Sequence, residues 1–180
     1  MDGMLIALGL AKLLFGLLVG VVGIGLAARM ATRFAGFESL DEALRSGNVA
    51  VGIVEGGAIL ATALLVQHAV AATFGALDLL RYASPGVGGI AWIGLYALVH
   101  VGAALGLSAI LLILGMRAFV RLAPEVDEIA EIRGGNIASA IVLSAFLVGL
   151  ALIAQQGLET VLEGVLPIPA LGRDGVVAPS

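Results

Sequence analysis

The sequence contains no cysteine, and only 12% of its 180 residues are charged, whereas 61% are hydrophobic. The lack of cysteine excludes a disulfide framework, a thiolate metal site and a cysteine nucleophile. A soluble domain carries about 25% charged and about 45–50% apolar residues, so this chain has too little polar surface to cover a water-soluble globule. Its net charge of −4 provides no basic surface for nucleic acid. These shortages indicate an integral membrane protein.

Motifs of the common enzyme classes are absent as well. The sequence has no Walker phosphate loop, no Gly-x-Ser-x-Gly elbow, no His-Glu-x-x-His pair and no histidines at the spacing of metal ligands. We therefore expect a protein that has no catalytic residue and needs no metal or other cofactor.

Long apolar runs are present instead. A helix crosses a bilayer with about 20 mostly apolar residues, and the runs of sufficient length are Met4–Ala28, Val49–Val66 continuing to about Leu80, Val87–Met116, and Ile137–Ala154 continuing to about Leu158. The first run is too long for a signal peptide and follows no basic residue, so we interpret it as a retained span. The sequence thus predicts an all-α integral membrane protein with four transmembrane helices.

The breaks between these runs contain turn and capping residues. In the first break, Ser39 and Glu42 form a capping-box pattern, which predicts a short interfacial helix ending near Gly47. The third break predicts a second short helix, which is acidic and has Pro124 near its first turn. The second break, around Pro85, is predicted to be a sharp turn.

Lysine and arginine are distributed unevenly over the breaks. Six of the nine flank the first and third breaks, namely Arg29, Arg33, Arg45, Arg117, Arg121 and Arg133. Short loops rich in Lys and Arg favour the cytoplasmic side. The pattern therefore predicts that these two breaks and their short helices are cytoplasmic, and that both termini are extracytoplasmic.

The two halves of the chain are related by an internal duplication. A shift of 88 positions places Arg29 on Arg117, Arg33 on Arg121, Arg45 on Arg133, Asn48 on Asn136 and Gln67 on Gln155. Each half is then predicted to be a helix hairpin, and the two hairpins have the same topology, as in parallel-repeat membrane proteins. We assign residues 1–86 to the first repeat, 87–158 to the second, and 159–180 to an irregular extracytoplasmic tail.

One short motif occurs once in each half. Arg-x-x-Asn-x-Ala spans Arg45 to Ala50 and Arg133 to Ala138, and each copy is followed by an apolar helix rich in small residues. Together with the duplication, this motif resembles the bacterial inner-membrane family called domain of unknown function 350. The resemblance implies a four-span protein of the inner membrane, made of two tandem hairpins, with no established activity and no catalytic residue to transfer.

Asn48 and Asn136 directly precede their helices, and two interpretations stay open. In the first, each side chain caps its helix by accepting a hydrogen bond from an N–H of the first turn. In the second, the two helix N-termini lie side by side and, with Arg45 and Arg133, bind a lipid headgroup or another anion.

Glu55 is an ionisable residue within an apolar run. It lies about 10 Å beyond Asn48 along the helix axis, and its counterpart in the second half is Leu143. An ionisable residue in a membrane span is a functional candidate. Glu55 is therefore either a carboxyl group neutralised by an arginine near the cytoplasmic interface, or part of an ion or proton site.

A second polar layer is predicted about 25 Å from the arginine pairs, toward the outside. Its members are Lys12, Gln67, His68, His100, Gln155 and Gln156. They form either a hydrogen-bonding belt near the outer headgroups or the outer end of a pathway that begins near Glu55. In the pathway, His100 could titrate near neutral pH.

Two functions are compatible with these features. The first is a non-enzymatic membrane subunit that associates with itself or with another membrane protein through faces of small residues, such as Gly16 and Gly20. The second is a small proton or ion channel or transporter with Glu55 and His100 in its path. The expected partners are the lipid bilayer and a membrane protein, which includes further copies of this chain; nucleic acid is not expected.

Overall fold

The computed structural model describes residues 3–39, 42, 45–78, 87–122, 127–165, 170–172 and 175–177. Its elements, in chain order, are the helices α1 (Gly3–Phe34), α2 (Val49–Asp78), α3 (Val87–Leu122), α4 (Glu128–Arg133) and α5 (Ile137–Val165) and the strands β1 (Ala170–Gly172) and β2 (Gly175–Val177). The four long helices are long and apolar enough to cross a membrane. The predicted helical chain with four candidate spans is confirmed.

The end of the chain differs from the prediction. Helix α5 continues to Val165 instead of ending near Leu158, because Glu159, Thr160 and Glu163 extend it with polar side chains after the apolar run ends. The tail was predicted to be irregular, but β1 and β2 form an antiparallel pair in its described part. The last helix therefore carries two carboxylates that the apolar pattern alone assigns to the tail.

Helices α1 and α2 run antiparallel. At one end Lys12 on α1 forms a 2.7 Å ion pair with Asp78 on α2. At the other end Thr32 on α1 is hydrogen-bonded to Glu55 on α2. Because the sequence numbers rise on one helix as they fall on the other, the first half is a pair of opposed helices joined at the Thr32 end.

Helices α3 and α5 are likewise opposed, while α2 and α5 run in the same direction. The rings of Phe119 on α3 and Phe146 on α5 lie 5.8 Å apart, and His100, farther back on α3, shares a cavity with Glu163 near the end of α5. Between α2 and α5 the sequence numbers rise together: Ser144 contacts Ile53, and Glu159 lies beside His68.

Helix α2 is the centre of the bundle. It packs against α1, α3 and α5. In the most apolar 18-residue segment of α2, 56% is buried, compared with 6% in the corresponding segment of α1. Small side chains such as Ala58, Ala61 and Ala69 fill the core, so that the helix backbones approach one another closely. Helices α2 and α5 are close at Gly57, where a built Cβ atom would lie 2.6 Å from the Cβ atom of Ser144.

Two of the helix ends near the first and third breaks are closed by glycines. After α1, Gly36 has φ +84°, and the N–H of Phe37 donates to the carbonyl of Thr32 at 3.1 Å. After α4, Gly135 has φ +92°, and the N–H of Asn136 donates to the carbonyl of Glu131 at 2.9 Å. Both are Schellman motifs, which need a left-handed residue that glycine adopts without strain.

The predicted short helices are described only in part. Asp127 caps α4 by accepting a 3.0 Å hydrogen bond from the N–H of Ala130, whereas Pro124 lies outside the described residues. In the first break the N–H of Glu42 donates to the hydroxyl of Ser39 at 3.2 Å, as the capping-box pattern predicts. Residues 40, 41, 43 and 44 of that predicted helix, and the predicted turn around Pro85, lie outside the described residues.

Candidate functional site

Glu55 lies on the side of α2 that packs against α1, with 6% of its surface exposed. The hydroxyl group of Thr32 donates a hydrogen bond to its Oε1 atom at 2.5 Å. Within the described part of the chain, no Lys or Arg nitrogen lies within 4.0 Å of this carboxyl group. Glu55 is therefore held by a neutral donor, while Arg29 and Arg33 border a neighbouring groove of about 420 Å³.

Replacing Thr32 by valine is expected to destabilise the chain. Valine keeps the shape of threonine but leaves the buried Glu55 without this donor, which costs about 1–3 kcal/mol. Thr62→Val is the matched control, because Thr62 is also buried but its hydroxyl has no hydrogen-bond partner within the described segments. The free energy of unfolding of detergent-solubilised chains would be compared; an equal effect of the two changes contradicts a stabilising Thr32–Glu55 hydrogen bond.

The predicted outer polar layer is divided between several places. Lys12 pairs with Asp78 and lies 5.5 Å from the ring centre of Phe74, an arrangement typical of a long cation beside an aromatic surface. Gln67 is exposed beside a groove between α1 and α2. Gln155 is half-buried, and its Oε1 atom has no partner for a hydrogen bond among the residues that the structure describes.

His68 and His100 are brought together at one end of the bundle. They line a cavity of about 150 Å³ with Glu159 and Glu163 of α5. His68 Nδ1 lies 3.8 Å from a carboxylate oxygen of Glu159. His100 is buried and stacks on Tyr96 with ring centres 4.3 Å apart. Its Nε2 atom faces the Tyr96 hydroxyl at 3.4 Å, while its Nδ1 atom has no hydrogen-bond partner in the part of the chain that the structure describes.

Three members of this cluster were not among the predicted site residues. Tyr96 is one turn before His100 on α3, a spacing that the sequence already shows. Glu159 and Glu163 are also one turn apart, but the predicted helix ended before them. The described residues contain no group of three or more His, Cys, Asp or Glu side chains arranged to hold a metal ion.

Asn48 and Asn136 both cap their helices, but their amide groups have different partners. Asn48 Oδ1 accepts from the N–H of Val51 at 3.3 Å, and Asn136 Oδ1 accepts from the N–H of Ala138 at 3.0 Å. The Asn48 amide donates across the bundle to the carbonyl of Arg133 at 2.8 Å. The Asn136 amide instead donates to Glu131, in its own half, at 2.9 Å.

Arg133 strengthens the same connection between the halves. Its Nε atom donates to the carbonyl of Ala35 at 3.2 Å, and its guanidinium group lies against the backbone of Gly36, in the space that a Cβ atom would occupy. Arg45, its counterpart, is exposed. Asn48 and Arg133 therefore bind backbone carbonyls of the opposite half.

The comparison with protein families agrees with this two-part architecture. The family model described as Domain of Unknown Function (DUF350) matches residues 4–104 and again residues 92–170. The chain belongs to the DUF350 family. The two overlapping matches are consistent with a tandem repeat, and the described part of the chain has four candidate membrane spans. No curated protein and no solved structure matches the chain.

In this DUF350 protein an open groove of about 280 Å³ runs between α1 and α2 of the first repeat. Its lining combines small residues, which include Gly16, Gly20 and Gly23, with Thr62 and with larger apolar side chains such as Ile59. A Cβ atom built at Gly20 would meet nothing within 4 Å. The groove is therefore an apolar surface at which a further helix could approach the backbones of α1 and α2 closely.

Proposed function

We propose that this DUF350 protein is a non-enzymatic, multi-pass subunit of the bacterial inner membrane that assembles with further copies of itself or with another membrane protein. The groove between α1 and α2 is the observation that supports the proposal. Helices associate in lipid through close packing and hydrogen bonds, because lipid chains are as apolar as leucine. A groove lined by Gly16, Gly20 and Gly23 provides the surface for such packing.

Thr62 adds a polar reason for a protein partner. Its side chain is buried beside the groove, and its hydroxyl has no hydrogen-bond partner among the described residues. A buried hydroxyl without a partner is costly. A lipid chain in the groove offers no acceptor, whereas a helix with small side chains exposes backbone carbonyls.

The proposed orientation follows from the arginines. Arg33 and Arg121 occupy the last turns of α1 and α3, and Arg133 ends α4. Basic residues in short loops favour the cytoplasmic side. We place this end of the bundle in the cytoplasm and both termini outside. This orientation puts the His68–His100 cavity near the outer surface.

Assembly is tested by crosslinking the full chain in its native membrane and by native mass spectrometry after mild extraction. Self-association is expected to give species at multiples of the 18.1 kDa chain mass, and assembly with another protein would give a defined species of a different mass. Recovery of the free chain alone, at every extraction condition that keeps it folded, contradicts the proposal.

A second candidate function is proton or ion translocation, which the unpartnered Nδ1 atom of buried His100 favours. The geometry sets a limit on this candidate. From Glu55 to His68 the distance along α2 is about 20 Å, and the intervening Ala58, Ala61 and Leu65 are buried apolar residues. A pathway through one chain would have to cross this packed region.

Translocation is tested in liposomes that contain a pH-sensitive dye. If this second function holds, the wild-type protein collapses an imposed pH gradient, and Glu55→Gln and His100→Gln each abolish the flux. Lys12→Met is the control, because Lys12 pairs with Asp78 away from the histidine cavity. Absence of flux through a folded wild-type protein contradicts translocation.

A further inference from the structure

The two repeats do not bury equivalent surfaces. In the second repeat the groove between α3 and α5 is filled by α2, which packs against both helices. On these two helices Ala104, Ser108 and Ala151 are buried. Shifted by 88 positions, they correspond to Gly16, Gly20 and Ala63, which line the open groove of the first repeat.

The helix that fills the groove also has a counterpart. Val54, Gly57 and Leu65 lie on one side of α2 and are buried, and Gly57 meets Ser144 of the second repeat. Their counterparts on α5 are Val142, Ala145 and Ile153. All three are exposed, Ile153 to 80%. Thus α5 has a surface equivalent to the one by which α2 packs against the second repeat, but on α5 this surface is exposed.

From these two observations we infer that α5 of one copy fills the groove between α1 and α2 of a second copy, which repeats between chains the contact that joins the halves within a chain. The inference rests on the proposed assembly function and identifies its partner as the same protein. The contact joins two different surfaces, so it is head-to-tail, and successive copies form a closed ring or an open row.

The register between copies follows from the contact at Gly57 within the chain. Gly57 on α2 meets Ser144 on α5, and the same shift places Ala145 of one copy on Gly56 of the next. Both positions are free to accept a partner, since Ala145 is exposed and a Cβ atom built at Gly56 meets nothing within 4 Å.

A close approach of two helices also allows hydrogen bonds between them. Within the chain, the Ser144 hydroxyl donates to the carbonyl of Ile53 at 2.8 Å. Between copies, backbone carbonyls of α5 would come within reach of Thr62.

The natural absence of cysteine allows a direct test. Chains carrying Gly56→Cys and chains carrying Ala145→Cys, each with its own tag, are co-expressed and oxidised in the membrane. A disulfide-linked dimer that contains both tags is expected. Each variant expressed alone should give no disulfide dimer, because position 56 faces position 145 and never itself. Leu114→Cys, at an exposed position on α3, replaces Gly56→Cys in the control pair, which should not crosslink.

The outcomes separate the inference from the proposed function. A dimer formed by either variant alone would show a two-fold symmetric contact and overturn the head-to-tail arrangement. Oligomers in native mass spectrometry without a crosslink between positions 56 and 145 would also overturn the inference but leave assembly standing. If both methods find only the free chain, the inference and the proposed function fail together.

Discussion

Gly57→Ala is expected to lower the free energy of unfolding by about 3 kcal/mol or more, at the upper end of the cost of overpacking a core. The added Cβ atom would lie 2.6 Å from the Cβ atom and 2.8 Å from the Cα atom of Ser144. A backbone atom cannot rotate away, so α2 and α5 have to separate. Their separation would also weaken the 2.8 Å hydrogen bond from Ser144 to the carbonyl of Ile53.

The adjacent glycine provides the control for this change. A Cβ atom at Gly56 would meet nothing within 4 Å, and alanine is favoured over glycine inside a helix by about 1 kcal/mol. Gly56→Ala should therefore leave the free energy of unfolding unchanged or raise it slightly. Both variants are measured as monomers in detergent, by circular dichroism during titration with a denaturing detergent. Equal stability of the two would mean that α2 and α5 are not in contact at Gly57.

The spans could be predicted because composition determines them. Apolar runs such as Val49–Val66 leave no alternative to a helix in lipid, where every backbone group needs an internal partner. The ends were predicted less well. Helix α1 continues to Phe34 instead of ending at Ala28, and α5 continues to Val165 instead of ending near Leu158. Polar residues can extend a helix past the apolar run, and hydropathy alone does not show where it stops.

Most side-chain partners could not be predicted, because helices that are apolar on all sides do not show which side faces which neighbour. The sequence identified Glu55 as a candidate but not its donor Thr32, and it grouped Lys12 with His100 although Lys12 pairs with Asp78. These pairings depend on how each helix is rotated about its axis. The rotation follows from the packing of small residues over the whole bundle, which no local pattern reports.

The duplication also could not reveal the asymmetry between the halves. It predicts that Asn48 and Asn136 are equivalent, and both cap a helix. Only the Asn48 amide reaches the opposite half. If the two halves were related by two-fold symmetry, each asparagine amide would donate to a carbonyl of the opposite half. In the observed head-to-tail arrangement of the halves, the Asn136 amide donates within its own half instead. The groove beside Gly20 is likewise left open within the chain.

Gly20→Leu is expected to weaken self-association by about tenfold to a hundredfold in the dissociation constant, which corresponds to the 1–3 kcal/mol cost of overpacking at a close contact. A Cβ atom at Gly20 meets nothing within 4 Å in the single chain, so the leucine side chain can extend into the groove without disturbing the fold. There it occupies the space that α5 of the neighbouring copy requires. Energy transfer between labelled chains in liposomes, measured as lipid dilutes the protein, reports the dissociation constant.

Gly106→Leu is the control that separates blocking the groove from adding bulk to a span. Gly106 is exposed on α3 and a Cβ atom there also meets nothing within 4 Å. Its counterpart in the first repeat, Leu18, is already an exposed leucine, so the repeat accepts this side chain. Gly106→Leu should therefore associate as the wild type does. If Gly20→Leu also associates like the wild type, the copies meet at another surface, since a leucine cannot share the groove with a helix packed against its floor.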